Sequence, residues 1–421
     1  MFKKYKLKNG LRVILAPLHE TKAVTVLVLV KIGSRYESRE INGASHFVEH
    51  LMFKGTNKRL TALDISKELD GVGAEYNAFT SKDHTGYYIK ANYEKIQLAL
   101  DIISDIIYNS RFEQKEIERE RGVIIEEINM YEDNPMMFME DLFEQTVYGD
   151  HPLGWNIAGT KETIRKVTRE QLFDYYKSHY QPKNILVAVA GRLDNNIRNQ
   201  VARYFGVAAP AKKSGQFKNI KIKQSQPQST VKYKDTEQAQ LALGFPAYSY
   251  FNDKLYSLYL LSVILGGNMS SRLFTSIREK KGLCYFIRCG VNVYEDTGNL
   301  MVQAGLDKSR IKEAIREIIK ELVKVKTSGV TAGELKKAKD FLKGKLILDL
   351  ESSENVASWL SKQELMRHKI ISVEQQMKKI DQVSIASIKK VTNEIIKPAR
   401  INLSLIGPFR NKDEFSAILK F

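Results

Sequence analysis

Pro182-Lys183-Asn184-Ile185-Leu186-Val187-Ala188-Val189-Ala190-Gly191 is a proline, a strand-like apolar run and a closing glycine, and the chain writes the same design again 216 positions later. The second copy is Pro398-Ala399-Arg400-Ile401-Asn402-Leu403-Ser404-Leu405-Ile406-Gly407. At the same offset, a helix-like stretch opening at Thr168 matches one opening at Ser384. A pattern that recurs at a fixed spacing marks an internal duplication.

The correspondence continues upstream with small gaps. Strand-like residues 23–33 match 238–244 and their flanks. The helical spacing of Ile102, Ile103, Ile106 and Ile107 matches that of Ile311, Ile315, Ile318, Ile319 and Leu322, each set lying on one core-facing stripe. The segment around Glu116 matches that around Glu334. Hairpin signals outweigh a strict βαβ alternation, so the fold class is α+β. We expect two homologous domains, each a mostly antiparallel sheet packed with helices. The first covers 1–209 and the second 227–421, with the polar, Pro- and Gly-bearing stretch 210–226 as linker.

Bulk properties bound the function. At 421 residues the chain is too long for one ordinary core, and 43% hydrophobic with 27% charged residues suits a soluble globular protein. No apolar run approaches the roughly 20 residues needed to cross a bilayer. The start, Met1-Phe2-Lys3-Lys4-Tyr5-Lys6, lacks an apolar core and runs into a hairpin-like turn at Lys8-Asn9-Gly10-Leu11. Two cysteines, Cys284 and Cys289, form no disulfide framework and fit a reducing compartment, so cytoplasm is expected. The net charge of +17 invites a nucleic-acid partner. Its lysines, however, are spread along helical faces, and neither a CxxC pair, a P-loop nor an RNP-like motif is present, so neither nucleic acid nor membrane is expected as a partner.

The chemistry concentrates at His46-Phe47-Val48-Glu49-His50. On a helix, positions i, i+3 and i+4 share a face, so His46, Glu49 and His50 point the same way. Two imidazoles one turn apart can grip one Zn²⁺, and a carboxylate beside them can take a proton from metal-bound water. This is the layout of a hydrolytic zinc site in the inverted order H-x-x-E-H. A third ligand is needed, and the helical, carboxylate-rich run 120–128 offers candidates. Glu120 and Glu127 lie two turns apart on one face, whereas Glu126 points about 100° away from Glu127. The duplication acts as a control. The counterpart of His46–His50 falls near 257–261, without a ligand, and the counterpart of Glu127 falls at Lys343-Gly344-Lys345. The histidines and the carboxylate disappear together, which favours Glu127 as the ligand. His19, His84, His151, His179 and His368 read as ordinary core or surface histidines.

With Glu127 in place the chain resembles the pitrilysin, insulysin and mitochondrial-processing-peptidase family of inverted-motif zinc peptidases. Gly33-Ser-Arg-Tyr-Glu37, Gly43-Ala-Ser-His46 and Phe53-Lys-Gly-Thr56 match that family too, and the short two-domain bacterial members are most similar. The resemblance implies a metalloendopeptidase with one Zn²⁺ per chain, held by His46, His50 and Glu127. Glu49 would be the base that activates water, and Glu120 would orient the site. It also implies that Asn77-Ala78-Phe79-Thr80 forms an exposed edge strand pairing with an extended peptide substrate, where the residues alone equally allow an interior strand. Arg278 and Tyr285 would hold the substrate carbonyl, where the bland alternative is a surface arginine and a half-buried tyrosine. A two-domain member would close its chamber as a clamshell dimer, most simply a homodimer, or a heterodimer with an inactive homologue. The competing function is a catalytically silent structural or partner subunit on the same fold. A basic nucleic-acid binder is the weaker third reading.

Overall fold

The computed structural model describes residues 2–208 and 216–419, so positions 210–215 of the expected linker lie outside the described residues. The chain divides into two compact units, each built on one mixed sheet.

The first unit carries six strands: β1 (Lys3–Lys6), β2 (Arg12–Pro17), β3 (Ala23–Val30), β4 (Glu75–Thr80), β5 (Thr85–Asn92) and β6 (Ile185–Gly191), in the order β1-β2-β6-β3-β5-β4. All neighbours are antiparallel except β2 and β6. The second unit carries β7 (Gln228–Tyr233), β8 (Gln238–Ala247), β9 (Cys284–Val293), β10 (Gly298–Asp307) and β11 (Asn402–Gly407), in the order β7-β11-β8-β10-β9. Here too a single pair, β7 with β11, is parallel. Strand for strand, β2-β6-β3-β5-β4 repeats as β7-β11-β8-β10-β9. The two proline–glycine stretches become β6 and β11, each the parallel partner in its sheet. Thr168 and Ser384 are both N-caps of helices closed by capping boxes. The duplicated α+β architecture is what the repeat predicts.

Both faces of each sheet are covered, which explains runs such as Ala-Val-Thr-Val-Leu-Val-Leu-Val in β3. Strand side chains alternate, so Val24, Val26, Val28 and Val30 join one core while Leu27 and Leu29 join the other. The first core contains residues of α1 (Ala44–Met52), α2 (Ala62–Asp70), α3 (Ile96–Asn109) and α4 (Gln114–Asp133), the last through Ile117, Ile124 and Ile128. The second is closed by the helix Ser353–Arg367 through Ala357, Leu360 and Leu365. In the other unit, α5 (Pro135–Tyr148) lays Met139, Leu142 and Phe143 against Ala242, Met301 and Ile406.

These assignments correct the expected single cut between 209 and 227. That cut separates the two sheets but not the helices. Residues 130–154 belong to the second unit, and 347–370 belong to the first. Each sheet has a helix on its second face, and each takes it from the other half of the sequence. No helix among the described residues is long and apolar enough to cross a membrane.

Candidate metal centre

Helix α1 starts at Gly43, whose φ of +101° is left-handed and open to glycine at little cost. Its free N–H groups find no cap next door. Glu37 supplies one from six residues upstream: Oε2 accepts from the Gly43 N–H at 2.7 Å and Oε1 from the Ser45 N–H at 2.7 Å. The amide of Asn42 donates to Oε2 as well. A carboxylate at a helix N-terminus answers both the orphan donors and the positive end of the dipole. Burial still pushes the Glu37 carboxyl up to about 7, with these N–H groups pulling the other way. Phe47, Val48, Leu51 and Met52 fix α1 in the core, leaving His46, Glu49 and His50 on the half-buried face.

The structure brings His46, His50 and Glu127 together. Glu127 Oε2 lies 3.6 Å from His46 Nε2 and 3.5 Å from His50 Nε2. Four tetrahedral ligands about 2.1 Å from a zinc ion stand about 3.4 Å from one another, close to both distances from Glu127 Oε2, and all three ligand atoms lie within 4.8 Å of one another. Among the described residues this is the one group of three His, Cys, Asp or Glu side chains able to hold a metal, and none of the other five histidines joins such a group. Glu126 is not part of it.

Around the three sits a supporting set. His50 Nδ1 is 3.0 Å from Glu120 Oε2, and Glu120 Oε1 is 2.7 Å from Lys54 Nζ. With Nδ1 turned to Glu120, Nε2 is the ring nitrogen that faces Glu127 and would face a metal. Burial opposes protonation of His50, but Glu120 and Glu127 outweigh it and hold the metal-free imidazole up at about 9. His46 goes the other way, to about 4, through burial and the neighbouring His50 charge. Burial raises the Glu49 carboxyl, against a hydrogen bond from Thr80. The contact of Lys54 with Glu120 and the capping by Glu37 were missed in the sequence. Both follow a family motif by position, yet neither is set by a helical or strand period.

Residues 77–80 lie on β4, the terminal strand of its sheet, with β5 on one side and no strand on the other among the described residues. Alternation splits the four. Tyr76, Ala78 and Thr80 are half-buried, while Asn77 and Phe79 are exposed on the other face. Phe79 packs over Gly86, where an added Cβ would lie 2.3 Å from its ring. A cleft of about 360 Å³ opens beside Glu49 and His50, walled by Phe53, Ile65, Tyr76 and Ala78. A larger cavity of about 440 Å³ beneath Lys58, Asp101 and Arg203 contains none of the metal-capable residues.

Arg278 and Tyr285 belong to the second unit. Arg278 sits on a π-helical segment, Phe274–Lys280, with its guanidinium 4.7 Å from the Phe274 ring centre and 5.7 Å from that of Tyr285. Tyr285 is 74% exposed near the start of β9, the edge strand that repeats β4.

The sequence model of the insulinase family, peptidase family M16, matches residues 12–161, and that of the peptidase M16 inactive domain matches 166–342. The zinc protease YmxG of Bacillus subtilis is 34% identical over 98% of this chain and 99% of its own length. The zinc protease SCO5738 of Streptomyces coelicolor is 34% identical over 96% of this chain and 89% of its own. A solved protease from Helicobacter pylori superposes with a TM-score of 0.91 at 26% identity, covering 97% of this chain and 99% of that one.

Proposed function

Since the chain belongs to the insulinase family of peptidases, M16, we propose that it is a zinc metalloendopeptidase cleaving unfolded peptides, with one Zn²⁺ per chain. One observation carries the reading: His46 Nε2, His50 Nε2 and Glu127 Oε2 converge at zinc-ligand spacing, with the Glu49 carboxylate one helical position from His50. Bound Zn²⁺ would supply Lewis acidity at the scissile carbonyl and bring the pKa of its water near neutrality.

The chain's own groups do the rest. The open edge of β4 receives an extended peptide as an added strand, and main-chain hydrogen bonds give affinity with little dependence on sequence. Glu49 takes the proton of the attacking water as oxygen bonds to the carbonyl carbon. It then delivers that proton to the departing amide nitrogen as the C–N bond breaks. Glu120 keeps His50 in the tautomer that presents Nε2. Arg278 and Tyr285 of a second copy would hold the carbonyl oxygen as it gains charge, in a chamber closed by a C₂ homodimer.

Metal analysis with cleavage of a quenched peptide tests the function. Wild type and Glu49→Gln are both expected to bind stoichiometric zinc, with cleavage lost in the variant. Zinc-loaded wild type that cleaves no unfolded peptide would favour a silent partner subunit instead.

A further inference from the structure

Thr80 closes β4, and its Oγ1 donates to Oε2 of Glu49 at 2.5 Å. This is the one side-chain hydrogen bond on the Glu49 carboxylate among the described residues. We propose that Thr80 is a positioning residue: its side chain does not read substrate but aims the Glu49 carboxylate, so that the strand receiving the peptide also holds the base. The proposal rests on the peptidase reading above for its kinetic consequence, and on geometry alone for the contact.

Three features make Thr80 suited to this. The half-buried face of β4 presents Tyr76, Ala78 and Thr80 together. Tyr76 on that face meets Phe53, just past the end of α1, with ring centres 6.3 Å apart. Thr80 therefore faces Glu49, away from the exposed side chains of Asn77 and Phe79. A carboxylate with a single hydroxyl partner is held at one oxygen and keeps the other available.

The Thr80 backbone is also pinned. It pairs with Thr85, whose Oγ1 donates to the Ile32 carbonyl at 2.8 Å. The following turn is closed by Ser81 N–H to the His84 carbonyl at 2.9 Å and by Ser81 Oγ to the same oxygen at 2.8 Å. The N–H groups of Ser34 and Arg35 then donate to the carbonyls of Ser81 and Lys82, both at 3.1 Å. Two residues further, Glu37 caps α1. Segment 33–37 thus anchors the turn behind Thr80 with one end and the helix carrying Glu49 with the other. Donor and acceptor of the 2.5 Å bond are referenced to the same piece of chain.

Thr80→Val removes the hydroxyl with little change of shape and keeps a β-branched strand residue, whereas Thr80→Ser keeps the hydroxyl. In crystals of the metal-free variants, the Glu49 carboxylate should leave its Oε2 position in Thr80→Val and keep it in Thr80→Ser. In zinc-loaded protein, Thr80→Val should lower kcat by about 10- to 100-fold with KM within about twofold and zinc content unchanged. Thr80→Ser should stay within about threefold of wild type. An unmoved carboxylate in Thr80→Val overturns the proposal, as do an unchanged kcat, equal losses in both variants, or a loss confined to KM. If zinc-loaded wild type cleaves nothing, the peptidase reading fails, and the crystals still decide whether Thr80 holds Glu49.

Discussion

Glu120 spends one carboxylate oxygen on His50 Nδ1, at 3.0 Å, and the other on Lys54 Nζ, at 2.7 Å. It is 2% exposed, so neither oxygen has water as an easy substitute. A buried acceptor of this kind sets the ring orientation and tautomer of the histidine it faces. Glu120→Gln should therefore weaken zinc binding by about 10- to 100-fold without unfolding the protein. Competition against a chelator of known affinity measures it, and an unchanged affinity would show that His50 is oriented by packing instead.

Glu37 ties stability to pH. Burial raises its folded pKa from 4.5 to about 7, so the folded state keeps a proton that the unfolded chain has released. A raised pKa contributes stability that is complete below about 4.5 and is lost as pH rises through about 7. Over that window the loss amounts to roughly 3 kcal/mol. Glu37→Gln carries no such term. Urea unfolding of metal-free protein at several pH values should show the wild type losing ground to the variant between pH 4.5 and 7. Parallel pH profiles would mean that the N–H donors around Glu37 cancel its burial.

Gly33 and Gly43 limit the same region for different reasons. At Gly33 the backbone is extended, but an added Cβ would lie 2.2 Å from the Ser81 carbonyl oxygen. At Gly43 the left-handed φ of +101° itself is costly for other residues, and a Cβ would meet the Ala158 oxygen at 2.7 Å. Gly43→Ala should cost about 1–3 kcal/mol and tilt α1, weakening zinc binding along with stability. Gly33→Ala should displace the 81–84 turn instead, lowering cleavage more than zinc binding. Thermal unfolding with zinc titration separates the two, and identical profiles for both variants would refute the distinction.

What the sequence displays and what it hides divides along physical lines. Local signals carry through: helix starts at Thr168 and Ser384, helical spacing of His46, Glu49 and His50, and the shared face of Glu120 and Glu127. The proline–strand–glycine stretches locate both central strands because their pattern needs no distant partner. The exchange of helices was hidden, since Ser353–Arg367 carries no clear apolar stripe and buries Ser361, Gln363 and Glu364 beside Ala357, Leu360 and Leu365, so its sequence does not say which sheet it covers. Glu37 was hidden for a related reason. An N-cap is sought beside the helix, and this one arrives from a loop six residues away. Strand alternation alone puts Thr80 and Phe79 on opposite faces, whereas which face meets α1 is set by the tertiary packing.

The exposed Tyr285 and its neighbour Arg278 bear on assembly. An aromatic side chain left 74% exposed near the start of an edge strand, with a guanidinium 5.7 Å from its ring, is suited to contact something outside its own unit. The proposed homodimer places that contact at the zinc site of the partner subunit. Glu49→Gln and Arg278→Ala should then each be inactive alone. Mixed and allowed to exchange subunits, they should form heterodimers with one intact site, restoring about a quarter of wild-type activity at equal amounts. Oligomeric mass is measured on the same samples. Dimers that exchange yet recover no activity would show that each chain completes its own site, and a monomer that cleaves peptide would remove the dimer from the mechanism.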